Sequence, residues 1–462
     1  MRINTIIFAA GLLASVLGIP AGAAGAAGTP AENTPRNFRL SQNLMYEKCM
    51  ACHTRSYNLP FYANIPGIQD IIKKDYRDGL RALDLSEEFS PASPLPEKVN
   101  ESTLAKLEWV TLNYTMPPAK FAMVHWGSRL TEKERKDILE WVRITRARYY
   151  ATGTASADMA NEPLQPLPES IPVNFPKAEL GKRLFEDKRL SADDTVACVT
   201  CHAHDKAGTD NLRFSKGIRE QLGNINAPTA YNAVFHIRQF WDGRAADLQE
   251  QAAGPPLNPV EMGYKDWEQI IAKLADDKTF TSDFKAEYPD GWSQKSITDA
   301  IAEYEKLLLT PNSRFDKWLQ GKNYILNNEE KAGYRRFKAY RCASCHVGKA
   351  VGGQSFEYMD LKKNYFADRG SPLESDIGLK GFTKKDADLH KFKVPSLRNV
   401  ELTWPYLHDG TAATLAETVR IMGVYLAGIE VPQKDRRLIV AFLRTLTGEH
   451  HGQPLGGKAV AN

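Results

Sequence analysis

The chain has 462 residues, enough for roughly three domains of about 150 residues each. A composition of 42% hydrophobic, 10% aromatic and 25% charged residues excludes wholesale disorder and collagen-like repeats. The formal net charge of +4 is too small and too evenly spread for a nucleic-acid binder, and no stretch beyond the N-terminus is long and apolar enough to span a bilayer. In chain order, Met1-Arg2 precedes an apolar run from Ile6 to Ile19 and then a run of alanines and glycines. Residues 1–27 therefore read as a signal peptide cut near Ala24 or Ala27, with an uncleaved anchor as the alternative. Either way the body of the chain is expected outside the cytoplasm.

The first unit, 36–150, carries Cys49-Met-Ala-Cys52-His53 and closes on a helix opened by the capping box Thr131-x-x-Glu134, with Ile138, Leu139 and Val142 on one face. Residues 151–176 hold five prolines and no periodic apolar pattern, and read as a linker. The second unit, 177–320, carries Cys198-Val-Thr-Cys201-His202 and a helix from Ser296-x-x-Asp299 through Leu309. The third, 321–455, carries Cys342-Ala-Ser-Cys345-His346, a helix opened by Thr414-x-x-Glu417 with Val419, Met422 and Leu426, and a stripe from Leu438 to Leu446 that should end at Gly448 as a C′ glycine. Long alternating strand patterns are absent, so the expected fold is mainly α, with three cytochrome c-like haem units.

All six cysteines belong to a C-x-x-C pair followed at once by His, which leaves none for a disulfide or a nucleophile. C-x-x-C-H is the attachment pattern of haem c. Two thiols add across the two porphyrin vinyl groups, and the next imidazole bonds the iron from beneath. His53, His202 and His346 are thus the expected proximal ligands of three covalent haems. Six ionised propionates would turn the formal +4 into about −2.

The sixth iron position decides each haem's role: a Met raises the potential and suits electron transfer, whereas an open position permits chemistry on a small oxygen species. Met116, 63 residues after His53 in Met116-Pro-Pro118, is the candidate for the first haem, with Met123 and His125 as rivals. Met422, 76 residues after His346, sits on a helix, where plain packing is the default. The second haem has no comparable candidate. His204 is too close in sequence to His202 to cross the ring, and His236 leads into a packed-looking segment.

From about 177 to 450 the chain closely resembles the bacterial dihaem cytochrome c peroxidases. The resemblance is carried by Leu180-Gly-Lys-Arg-Leu-Phe185, Asn226-Ala-Pro-Thr229, Gln239-Phe-Trp-Asp-Gly-Arg244, Gly254-Pro-Pro, Val260-Glu-Met262, Thr310-Pro-Asn-Ser-Arg-Phe315, Val394-Pro-Ser-Leu-Arg-Asn-Val400 and Tyr406-Leu-His-Asp-Gly410. The unit at 36–150, with Leu59-Pro, Ile65-Pro-Gly67 and Met116-Pro-Pro118, is similar to that of trihaem members acting as quinol peroxidases. The resemblance implies reduction of H2O2 to water at the second haem, with electrons relayed from the first and third. It makes Met422 the ligand of the third iron. It puts Gln251 and Glu261 in the distal pocket and Trp241 between the second and third haems. It also implies one Ca2+ joining the second and third units, held by Asn226 and the carbonyls of Thr403 and Pro405. The implied donor is the membrane quinol pool or a small periplasmic cytochrome c, and the family allows a homodimer.

One departure stands out. Dihaem relatives usually carry a His before Asn226 that caps the second iron until reduction, and here the position is Ile218. An iron open as isolated is therefore expected, with Lys216 as the competing ligand. Three rival functions are a MauG-type oxidase of a protein substrate, a non-catalytic electron conduit and a peroxide sensor. MauG-type proteins carry Tyr where this chain has Met422.

Overall fold

The computed structural model describes residues 43–55, 65–67, 69–89 and 98–456. The expected signal peptide and the Leu59-Pro60 pair lie outside them. The described residues are mostly helical, with two short two-stranded antiparallel sheets: Phe356–Tyr358 with Lys391–Lys393, and Glu449–His450 with Gln453–Pro454. No helix among them is long and apolar enough to cross a membrane.

Buried apolar side chains gather mainly in three clusters, each packed against one C-x-x-C-H segment. The first joins Met50, Leu85, Phe89, Leu104 and Trp141, with Cys49 against it. The second joins Leu184, Phe185, Ile218, Met262, Phe284 and Ile301, with Cys198 against it. The third joins Phe315, Tyr334, Phe392, Tyr406 and Phe442, with Cys342 against it.

Local chemistry sets the helix ends. Thr131 and Glu134 form the full capping box of helix Glu132–Tyr149, and Ile138, Trp141 and Val142 are its buried face. Helix Gln294–Glu305 is capped by Ser293, so Ser296 is the reciprocating residue of the box rather than its start. The helix also stops short of Leu309. There the backbone finds tertiary partners instead: Asn232 N donates to Leu308 O and Thr310 N to Asn232 Oδ1. Thr414 caps helix Leu415–Met422, and Leu426 falls on the following turn, Gly423–Ala427. Gly448 is not a left-handed C′ residue. It is there because a Cβ would lie 2.0 Å from Thr310 O.

The 151–176 segment is less loose than its prolines suggest. Leu164 is buried in the third cluster, Gly348 N donates to Pro163 O, and Gln165 N donates to Gly348 O. Arg398, itself fully buried, donates to Gln165 O and pairs with Asp316 at 2.7 Å. Extended backbone with free N–H and C=O groups has been used as a strap across the third core.

Candidate functional site

The third motif lies where helix Asn328–Ala339 ends. Arg341 turns the chain with a φ of 67° into the short turn Cys342–Ser344, and His346 follows. Cys342, Cys345, His346 and Met422 line one cavity of about 240 Å3, walled largely by apolar side chains including Leu397, Val419 and Leu443. The cysteines are unpaired, and burial pushes both thiols up to about 12. Such thiols stay protonated, which is wrong for a nucleophile or a thiolate ligand. Burial draws His346 down to about 4, so its imidazole is neutral, and its Nδ1 is buried without a hydrogen-bond partner. A neutral imidazole and two thiols on an apolar cavity fit a covalently held haem.

Lys393 and His236 line the same cavity, and sequence reasoning did not single out Lys393 at all. Lys393 Nζ lies 3.1 Å from His236 Nδ1, and burial draws its ammonium down to about 7. His236 Nε2 is buried and unpartnered. A buried cation beside a neutral imidazole suits a group that brings its own carboxylates, as haem does. No sequence signal marked it, because a three-residue strand is too short for its alternation to reveal which lysine turns inward.

The second motif forms the short helix Cys198–Cys201, and His202 Nδ1 is 3.1 Å from Gly208 O. That contact fixes the ring and leaves Nε2 for a metal. Glu261 is half-buried in a turn built by Asn258, whose Nδ2 donates to Glu261 Oε1 at 2.7 Å. Burial raises the Glu261 carboxyl above its usual range, against a smaller opposing pull from Arg244. Its neighbour Met262 belongs to the second core, against which Cys198 packs. Gln251 is on helix Leu248–Ala252, which is capped by Asp247.

Residues 215–223 pack onto this turn. Ile218 N donates to Glu261 O at 2.9 Å, and the Ile218 side chain is buried in the second core with Met262. A Cβ on Gly217 would lie 1.8 Å from Val260 O, so only glycine permits the approach. Lys216 is exposed and paired with Glu220 at 2.6 Å.

Trp241, from the second unit, packs against the third core. Its Nε1 donates to Asn226 O at 2.9 Å, its carbonyl accepts Lys393 N, and its ring lines the third cavity. Asn226, Thr403 and Pro405 line that cavity as well. The Asn226 Nδ2 group donates to Leu212 O and Arg213 O, so the amide is held by its nitrogen. Asn211 Nδ2 donates to Leu402 O and Trp404 O and ties the strand of carbonyls to the second core. An amide oxygen and backbone carbonyls suit a hard cation. Among the described residues no cluster of three His, Cys, Asp or Glu could hold a metal ion.

In the first unit His53 Nδ1 lies 2.8 Å from Leu83 O, the same arrangement as at His202. Met116 is half-buried between helices Glu101–Leu112 and Ala119–Val124, and is not among the residues packed against the first core. Of its rivals, Met123 is 64% exposed, and His125 stacks on Phe121 at 4.1 Å.

The profile of the di-haem cytochrome c peroxidase family matches residues 176–324, and that of a haem-binding domain matches 25–144. The chain is 45% identical over 413 residues to cytochrome c peroxidase Ccp of Escherichia coli strain K12, which covers 89% of this chain and 88% of that protein. It is 44% identical over 299 residues to cytochrome c551 peroxidase of Nitrosomonas europaea, covering 64% and 87% respectively. The crystal structure of a MauG-like protein associated with microbial copper homeostasis matches with a TM-score of 0.55 at 28% identity, over 61% of this chain and 95% of that one. With these likenesses and the haem-fitted cavity, the chain belongs to the bacterial di-haem cytochrome c peroxidase family and is a haem-dependent peroxidase.

Proposed function

We propose that the chain is an exported, periplasmic trihaem peroxidase that reduces H2O2 with electrons from quinol or a small cytochrome c. Its units are 36–150, 177–320 and 321–455, with haem attached at Cys49/Cys52, Cys198/Cys201 and Cys342/Cys345. When bound, the haems supply one-electron redox chemistry and a coordination position for the oxidant. The sites would be unequal: Met422 and His346 would hold the third haem and Met116 and His53 the first, whereas His202 alone would hold the second and leave it able to take the oxidant. The observation that carries this reading is the 215–223 loop: Ile218 is buried in the core and Lys216 is tied to Glu220.

Glu261 takes a proton from the bound peroxide and returns it to the departing oxygen. Gln251 orients the peroxide without titrating. Trp241 relays electrons between the second and third sites, and Ca2+ on Asn226, Thr403 and Pro405 holds those units in register. The balance is H2O2 with two protons and two electrons giving two waters.

The test is steady-state H2O2 reduction with quinol against reduced cytochrome c, in wild type and Glu261→Ala. A loss of about 100-fold or more in the variant fits the acid–base role, and equal rates remove it. A protein that binds neither cyanide nor peroxide would be an electron conduit instead.

A further inference from the structure

Segment 79–83 lies between the first motif and the third cavity. On one side Gly79 approaches Cys52 so closely that a Cβ would be 2.6 Å from the Cys52 carbonyl oxygen, and Leu83 O meets His53 Nδ1 at 2.8 Å. On the other side Ala82, the residue next to Leu83, lines the cavity of Cys342, Cys345 and His346. One hydrogen bond and one peptide unit therefore separate the first proximal histidine from the wall of the third haem site.

The contact is built rather than incidental. Lys106 also lines that cavity, and its Nζ donates to Ala82 O at 3.3 Å and to Glu357 Oε1 at 2.7 Å. The two side chains are 12% and 8% exposed. Ser102 Oγ donates to Ser344 O, inside the third motif, at 2.9 Å, and Asn100 Nδ2 donates to Gln354 O at 2.9 Å. Arg81 reaches Asp360 at 2.7 Å. A buried ion pair adds little net stability but penalises misplacement heavily, so it fixes position.

We infer that segment Gly79–Leu83 is the bridge over which electrons cross from the first haem site to the third, with the Lys106–Glu357 pair as the clamp that seats it. This rests on the reading of the first haem as the point where electrons enter. Each crossing moves one electron. The first site is oxidised, the third is reduced, and no bond or proton moves. Two crossings serve one peroxide, drawn from one quinol, which leaves as quinone and two protons, or from two reduced cytochromes. The physical ground is that tunnelling decays more slowly through bonded atoms than across open gaps. The N-terminal unit thus acts as a tethered donor seated on the face of the third unit.

The test uses the full-length holoprotein as wild type, Lys106→Glu, and the swap Lys106→Glu/Glu357→Lys. Fully reduced protein is mixed with H2O2 and freeze-quenched, and the oxidation of each low-spin haem is followed by EPR. Hydrogen exchange of the 342–348 amides reports seating independently of activity. Lys106→Glu should slow oxidation of the first haem at least tenfold and raise exchange at 342–348, and the swap should restore both. A wild-type rate in Lys106→Glu, unchanged exchange, or a swap that restores neither overturns the inference. If the first haem of the wild type stays reduced while the third is oxidised, it is the reading of the first haem as electron port that fails.

Discussion

Glu261 is one side chain whose role depends on where its turn puts it. Asn258 holds the carboxylate by one oxygen, and the 215–223 loop holds its backbone. Burial raises its pKa, which makes it a better proton acceptor than an exposed carboxylate. In the proposed role the working form is the base. Peroxidase kcat/KM should therefore be full above the raised pKa and fall as pH drops through it, at a midpoint above the ordinary glutamate value of 4.5. Glu261→Gln should cost about 100-fold at neutral pH and abolish that acid limb, which a pH profile of kcat/KM would check. A glutamate in Val-Glu-Met looks like any surface carboxylate in sequence, and only the family pattern pointed to it. The three C-x-x-C-H segments, by contrast, stand out in the sequence, because all six cysteines fall in the same setting. Lys393 and Lys106 were not legible. Their significance is burial beside a cavity, which is a property of packing across distant segments.

Among the elements, the 215–223 loop and the 151–176 strap differ most from what composition suggests. The loop is pinned by Gly217 against Val260 and by Ile218 in the core, so it presents no ligand from position 218. The fully oxidised protein as isolated should accordingly show a high-spin ferric signal from the second haem by EPR, and should turn over H2O2 without prior reduction. Three low-spin signals would contradict this. The strap read as a linker because prolines break periodicity, but periodicity reports only helices and strands, not extended chain hydrogen-bonded to loops. Its anchor is the Arg398–Asp316 pair, buried on both sides. Asp316→Ala leaves a buried guanidinium short of its counter-charge and should destabilise the third core by about 3–5 kcal/mol, read as a lower denaturation midpoint. Helix starts were legible from Thr131 and Thr414. Helix ends were not, because Asn232 and Thr310 decide the end of helix Gln294–Glu305 from elsewhere in the chain.

In the whole molecule, the proposed trihaem catalysis would require three sites to be held at fixed separations, and each junction uses a different device. The first and third units meet through a buried ion pair and hydrogen bonds to backbone carbonyls. The second and third meet through ion pairs of the 314–317 segment and, at Trp241, Asn226 and the 402–405 carbonyls, through neutral hydrogen bonds. A cation that draws on the Asn226 amide oxygen from the second unit and on the Thr403 and Pro405 carbonyls from the third would lock that second contact. Its removal should loosen Trp241 without disturbing either core. Treatment with EGTA is then expected to lower H2O2 turnover several-fold, leave the haem attachments and helical content unchanged, and be reversed by added Ca2+ but not by Mg2+, which demands a tighter octahedron. Asn226→Ala should show the low activity without EGTA and respond weakly to Ca2+. If turnover is indifferent to EGTA while Asn226→Ala is still impaired, the residue acts through its hydrogen bonds to Leu212 and Arg213, and the junction is held by the protein alone.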